Sequence, residues 1–272
     1  MADHAHNLRA DFAKANPGKP IGVITRGTTG VNRLRRFDRW CLHHSRIHKL
    51  LSDAPSPVVL DVGYGASHTT TVEWGRWIHR MRADATVIGL EINPERVLPP
   101  QDGVSFELGG FELAGYTPQV VRAFNVLRQY DVDQVEDAWN TVTSRLAPDG
   151  VFIEGTCDEI GRRCSWILLD AQGPQTLTLA WHPWGVTRPS DVAERLPKVL
   201  IQRNVPGEKI HTLLTAADTA WDYAAGWEPY GPRVRWEKAR EMMIQQGWPI
   251  EVSRRRVGDA LLTVPWSVVS PD

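Results

Sequence analysis

The sequence predicts an α/β protein built on an open, doubly wound sheet, and three observations lead there. Short apolar runs recur at Val58-Val59-Leu60, Thr86 to Leu90 and Val151-Phe152-Ile153, and read as buried parallel strands. Amphipathic stretches such as Thr69 to Arg82 and Val132 to Leu146 separate them. The first run stops at Asp61 and turns through Gly63-Tyr64-Gly65, and the second stops at the acid Glu91. Alternation of this kind requires helices on both faces, and ligands of such sheets bind outside the carboxyl ends of the strands.

The elements follow in order. Pro17-Gly18 and Pro20 break the first twenty residues, and a Gly/Thr-rich loop runs from Arg26 to Gly30. A helix is expected from Arg33 to Leu51, with Leu34, Phe37, Trp40, Cys41, Ile47 and Leu51 on one apolar stripe. Strands are read at 58–60, 86–90 and 104–106, and a helix, or a helix plus a short strand, at 118–128. Ala147-Pro148-Asp149-Gly150 ends the helix at 132–146, and the strand at 151–153 follows. Cys164 to Leu169 and Gln175 to Trp181 flank a turn at Asp170-Ala171-Gln172-Gly173, a hairpin signal. Helical stretches come next at 191–199, 208–225 and 234–246. A last hairpin is expected around Gly258-Asp259. The divisions are an N-terminal extension and helix (1–52), a ligand-binding core (53–156), a substrate-side insertion (157–235) and a C-terminal helix and hairpin completing the core (236–272).

Composition narrows the class. With 272 residues, 42% hydrophobic and 23% charged, the balance is that of an ordinary globular chain. No apolar run approaches the roughly 18 residues of a membrane span. The N-terminus lacks the apolar segment of a secretory signal, so a cytoplasmic protein is expected. Cys41, Cys157 and Cys164 are too few and too scattered for a disulfide framework or a zinc site, and no metal is expected. Residues 1–50 carry ten Lys or Arg against three Asp, which suits either a solvated helix face or contact with an anionic partner. Of the 12 tryptophans, Trp181, Trp184, Trp221, Trp227, Trp236, Trp248 and Trp266 lie in the last third. They could line a cleft or fill a core.

The glycine turn after the first strand lets a ligand lie against the backbone. An acid ending the second strand can accept hydrogen bonds from both hydroxyls of a ribose. A nicotinamide dinucleotide fits less well: its fingerprint places Gly or Ala where this chain has His68, and Asp61 repels a pyrophosphate.

Leu60-Asp61-Val62-Gly63-Tyr64-Gly65 resembles the first motif of the class I S-adenosylmethionine-dependent methyltransferases, and Ile88-Gly89-Leu90-Glu91-Ile92-Asn93 resembles their second strand end. Ala123-Phe124-Asn125-Val126-Leu127 is similar to their fourth-strand motif, and Leu146-Ala147-Pro148-Asp149-Gly150 to the segment before their fifth strand. The resemblance covers about residues 55–156. It implies a Rossmann-like, mostly parallel seven-stranded sheet with S-adenosyl-L-methionine as cofactor. Gly63 and Gly65 would pass beneath the cofactor, flanking Tyr64, and Asp61 would sit near its ammonium group. Glu91 would hold the ribose diol, and Ile92 would pack on adenine. Gly110 and Phe111, in Gly109-Gly110-Phe111-Glu112, occupy the loop that contacts adenine, although many members have an Asp there. Asn125 would stand at the border with the substrate.

The reaction implied is in-line methyl transfer, which requires alignment and exclusion of water. Asp158, Glu159, His182 and His211 are the candidate bases, of which Asp158, His182 and His211 are carried forward. No Asn-Pro-Pro-Tyr-type motif and no Pro-Cys nucleophile is present, which disfavours covalent catalysis. Specificity is expected in 157–235, with Arg203 holding an anionic group and Trp181 and Trp184 as flat walls. There the hairpin from Cys164 to Trp181 would project beyond the rim. The acceptor is expected to be a small molecule. The alternatives are a catalytically silent cofactor-binding partner and an RNA methyltransferase using the basic N-terminal helix, nucleic acid being disfavoured but not excluded. The same insertion could serve a homodimer contact. Residues 26–39 are expected to flank the entrance, the loop at 26–30 acting as a lid.

Overall fold

The computed structural model describes residues 7–12, 19–185, 187–251 and 260–271. Two short helices open it, α1 (Arg35–His43) and α2 (Ser45–Asp53). The one helix expected over 33–51 is therefore broken, at His44, whose backbone is extended (ψ 116°) and whose ring packs 4.5 Å from that of Trp40. The break lets Phe37, Trp40 and Cys41 bury from one helix and Ile47 and Leu51 from the other.

The alternating part follows with β1 (Val58–Val62), α3 (Thr69–Met81), β2 (Thr86–Glu91), β3 (Val104–Leu108), β4 (Val120–Phe124), α4 (Val135–Thr143) and β5 (Val151–Cys157). The helix considered at 118–128 is instead β4 and a 3-10 turn at Leu127–Gln129. All five β4 residues are buried between β1 and β5. A strand covered on both faces shows no alternation, so periodicity cannot separate it from a buried helix.

After β5 the chain forms β6 (Arg163–Asp170) and β7 (Gly173–Trp181), then α5 (Lys198–Ile201), α6 (Lys209–Tyr223), α7 (Pro232–Gln245) and β8 (Leu261–Pro265). The strands make one sheet in the order β3-β2-β1-β4-β5-β6-β7-β8. Neighbours from β3 to β5 pair in parallel, while β6, β7 and β8 are each antiparallel to the strand before. Among the described residues this is a Rossmann-like α/β sheet of eight strands, one more than expected. The hairpin over 164–181 does not project beyond the rim; it extends the sheet, because β6 is almost wholly buried and cannot face water. Of the C-terminal hairpin, residues 252–259 lie outside the described residues, and β8 pairs with β7.

Two apolar layers hold the sheet. On one face Phe37, Trp40, Ile47, Trp74 and Ile78 of α1, α2 and α3 pack on Val59, Val87 and Ile153. On the other, α4, α6 and α7 bring Val135, Val142, Leu213, Trp221 and Trp236 onto Leu60, Val121, Phe152 and Leu179. Burying such side chains contributes about 1.5–3 kcal/mol each. No helix among the described residues is long and apolar enough to cross a membrane.

Candidate functional site

Strand order reverses at β1, with β2 on one side and β4 on the other, so the crevice opens at the carboxyl ends of these three strands. Gly63 and Gly65 leave β1 with φ of +73° and +87°, conformations that side chains disfavour. A Cβ on Gly63 would stand 2.6 Å from a methyl of Val126, and one on Gly65 2.6 Å from the carbonyl oxygen of Gly27. Glu91, 1% exposed, ends β2. Its Oε2 accepts from the Gly65 N–H (3.0 Å) and its Oε1 from that of Asn93 (3.1 Å). Each carboxylate oxygen has a second lone-pair direction, and Glu91 lines a slot with Gly63, Ile92, Gly110, Phe111 and Val126.

The chain itself covers that slot. Residues 21–27 cross the strand ends as a strap. Its amides at Ile21, Val23 and Arg26 donate to Glu112 Oε2 (2.5 Å), the Tyr130 hydroxyl (2.6 Å) and Gln129 Oε1 (3.0 Å). Its carbonyls at Ile21 and Gly27 accept from Phe111 (2.9 Å) and Ala66 (3.0 Å). Gly110 is open to it, since a Cβ there would overlap the Ile21 carbonyl oxygen. With the strap down, the slot over Glu91 and the cavity over Gly65 and Asn125 measure about 20 and 30 Å³, space for a water or two.

Asp61, expected beside a ligand ammonium, lines the cavity over Gly65 and Asn125 and is also tied into the fold. Its Oδ2 accepts from Arg122 Nη2 (2.7 Å) and from the Thr71 hydroxyl (2.8 Å). Arg122 of β4 is fully buried, donates also to Asp38 Oδ1 of α1 (2.9 Å) and lies 4.2 Å over the Trp74 ring. Burial pushes the Asp38 carboxyl up to about 7, against the pull of Arg122. The network thus ties α1, α3, β1 and β4 together beneath the crevice. Tyr64 likewise turns into structure, its hydroxyl donating to the Arg96 carbonyl (2.8 Å) and its ring packing on Phe106.

Asn125 follows β4 with φ +62°. Its Oδ1 accepts from the Cys157 N–H (2.9 Å) and its Nδ2 lies 3.5 Å from Cys157 Sγ, so it staples β4 to β5 at the cavity edge. Cys157 also sits opposite Cys164 in the antiparallel register. A hydrogen bond from the Cys164 thiol, with Arg33 and Asn125 nearby, lowers the Cys157 thiol to about 7. Only the β5–β6 pairing brings these two cysteines together, so their spacing in the sequence gave no sign of it.

None of the candidate bases is among the lining residues of the two strand-end cavities. Asp158 anchors the β5–β6 turn: its carboxylate accepts from the amides of Ile160, Arg162 and Arg163. His182 follows β7, packs on Trp184 and is lowered by burial and then by Arg36, Arg162 and Arg233. His211 opens α6 and contacts the Thr215 hydroxyl one turn on. Neither histidine lines the two strand-end cavities. Arg203, expected to hold an anion, pairs with Glu208 of its own loop (2.9 Å). Trp181 is not a cleft wall but a core residue stacked edge-on to Trp236 at 4.5 Å, and Trp221 is buried beside them. Trp184 is exposed, with Arg233 over its ring. The basic residues of the N-terminal helices and of the turn before them are also engaged: Arg33 and Arg36 donate to carbonyls of the β5–β6 turn, and Arg46 pairs with Asp170. The sequence did not single out Arg96, Arg128 and Lys198, which with Arg26 line a groove of about 630 Å³ beside the strap.

No family model matches the chain, and no curated protein matches it. Among solved structures it is similar to the plantazolicin methyltransferase in complex with SAH, at 11% identity over 46% of this chain and 48% of that one, TM-score 0.34. It is also similar to the mitomycin 7-O-methyltransferase, at 14% identity over 45% and 35%, TM-score 0.34. A putative type II methyltransferase from Anaeromyxobacter dehalogenans aligns at 17% identity over 48% and 49%, TM-score 0.32. The chain thus spans about half the length of such structures or less. On its own strand order and register, it is a Rossmann-like α/β protein whose crevice lies at the switch point between β2, β1 and β4.

Proposed function

We propose that this chain binds S-adenosyl-L-methionine across the carboxyl ends of β1, β2 and β4 and transfers its methyl group to a small-molecule acceptor. One observation carries the reading: the buried Glu91 carboxylate sits over the Gly63–Gly65 turn, 3.0 Å from the Gly65 amide. An acid there offers its outward lone pairs to a ribose diol, and the glycines allow close approach of the nucleoside. Ile92 and Phe111 supply the apolar flanks of the slot, and Asn125 its border toward the acceptor. Bound, the cofactor supplies an activated methyl group on its sulfonium.

The strand-end residues suit a nucleoside, but the closed slot of about 20 Å³ is far below the roughly 300 Å³ of a ligand pocket. The strap at residues 21–27 therefore lifts off the slot to admit the cofactor. Asp61 lines the cavity over Gly65 with its Oδ2 held by Arg122, and borders the ammonium end of the cofactor in this reading. Transfer proceeds by alignment rather than by a base among Asp158, His182 or His211, which stand outside the two strand-end cavities. Titration calorimetry with S-adenosylmethionine, its demethylated product and NAD tests the assignment. Micromolar binding of the first two without NAD is expected. Binding of NAD alone would overturn it.

A further inference from the structure

We propose that the groove beside the strap is the acceptor site and that it takes an acceptor bearing a carboxylate or phosphate group. The inference rests on the methyl-transfer reading and adds the substrate class. The groove measures about 630 Å³, within the range of small-molecule sites. Four cations line it from four parts of the chain: Arg26 from the strap, Arg96 after β2, Arg128 after β4 and Lys198 at the start of α5. Its described lining contains no Asp or Glu.

Arg96, Arg128 and Lys198 are each held by an uncharged partner. Arg96 Nη1 donates to the Thr25 carbonyl (2.8 Å), Arg128 Nη1 to that of Glu194 (2.7 Å) and Lys198 Nζ to Asn7 Oδ1 (2.9 Å). All three acceptors are uncharged, and each cation keeps further donors. Burial and then Arg195 lower Arg128, against Glu159 and Glu194. Burial, and more weakly Arg128, lower Lys198 against Asp131. Crowded, partly desolvated cations of this kind gain from a bound oxyanion, and guanidinium groups match carboxylate and phosphate geometry.

The groove adjoins the cofactor slot. Thr25 lines the groove and both strand-end cavities. Gln129, on the groove wall, donates from Nε2 to the Asn125 carbonyl (3.0 Å). An anionic head seated among the cations therefore leaves the rest of the acceptor facing the switch point across Thr25. Ile24, Leu196 and Ile201 give that remainder apolar contact.

The test is titration calorimetry with inorganic phosphate and with citrate, at constant ionic strength set by sodium chloride. The wild type, Lys198→Gln, the double variant Arg128→Gln/Lys198→Gln and Lys238→Gln, on α7 outside the groove lining, are compared after thermal melts establish folding. The expected result is wild-type binding of at least one anion, weakened about tenfold or more by Lys198→Gln and further by the double change, as for lost charge-assisted hydrogen bonds. Lys238→Gln binds as wild type, and S-adenosylmethionine affinity stays constant throughout. Equal anion affinity in wild type and Lys198→Gln, or no wild-type binding above chloride, overturns the site. Intact anion binding with no S-adenosylmethionine binding overturns the methyl-transfer reading and the acceptor role while leaving an anion site.

Discussion

Glu91 and Arg122 are both buried charges near the strand ends, and they act differently. Glu91 is held by two backbone amides and lines the slot. In the methyl-transfer reading, Glu91→Gln weakens S-adenosylmethionine binding by about 1–3 kcal/mol, because a charged acceptor of the ribose diol becomes neutral. Calorimetry on the folded variant measures it; an unchanged dissociation constant removes Glu91 from recognition. Arg122 touches no slot and serves the fold, bridging Asp38 and Asp61 at 2.9 and 2.7 Å. Arg122→Leu leaves two carboxylates buried without their cation and is expected to cost about 3–5 kcal/mol of stability. Urea denaturation reads this, and a loss below 1 kcal/mol would show the network to be dispensable.

At the scale of elements, the strap and the β5–β6 turn decide what the crevice can do. The Ile21 and Val23 amides donate to Glu112 and Tyr130 while the strap is down. If the cofactor displaces these bonds, hydrogen exchange at both amides accelerates on adding S-adenosylmethionine. Exchange that is unchanged at saturating cofactor would exclude the strap as a gate. The turn supplies a second test. Asp158 accepts three backbone amides, so Asp158→Ala is expected to destabilise the protein by about 1–3 kcal/mol and to leave transfer per folded molecule intact. Loss of turnover at full stability would instead restore Asp158 as a base.

Across the whole molecule, two buried carboxyls set the pH response. Glu154 lies inside β5, fully buried, with neither carboxylate oxygen hydrogen-bonded, and burial pushes it up to about 8. Asp38 is pushed up to about 7, chiefly by burial. In both, the folded state holds its proton to higher pH than the unfolded chain. Their contribution to stability is therefore fullest below pH 4, is lost as pH rises from about 4 to 8, and is flat above. The melting temperature is expected to fall between pH 5 and 8, and Glu154→Gln, which cannot ionise, to reduce that slope. Parallel slopes in wild type and variant would show that Glu154 does not titrate in this window.

The sequence by itself determined the alternating core and where four of its strands begin, at Val58, Thr86, Val104 and Val151, whereas β1 runs on to Val62 and β5 to Cys157 beyond the apolar runs. Val58–Leu60, Thr86–Leu90 and Val151–Ile153 are apolar-rich runs followed by Asp or Glu, and such local signals survive whatever the rest of the chain does. The positions of the glycine turn and of Glu91 were legible for the same reason. The tertiary structure alone decided what those residues touch. Asp61 has no neighbour in the sequence that announces Arg122, 61 positions away, and Asp158 gives no sign of the three amides that hold it. The eighth strand and the burial of Trp181 follow from antiparallel pairing beyond β5, which is set by contacts across the sheet. The basic groove was illegible because its four cations are separated by up to 172 positions and meet only where loops converge at the strand ends. Local patterning fixes where a strand begins, and long-range packing fixes how far it runs and what stands opposite it.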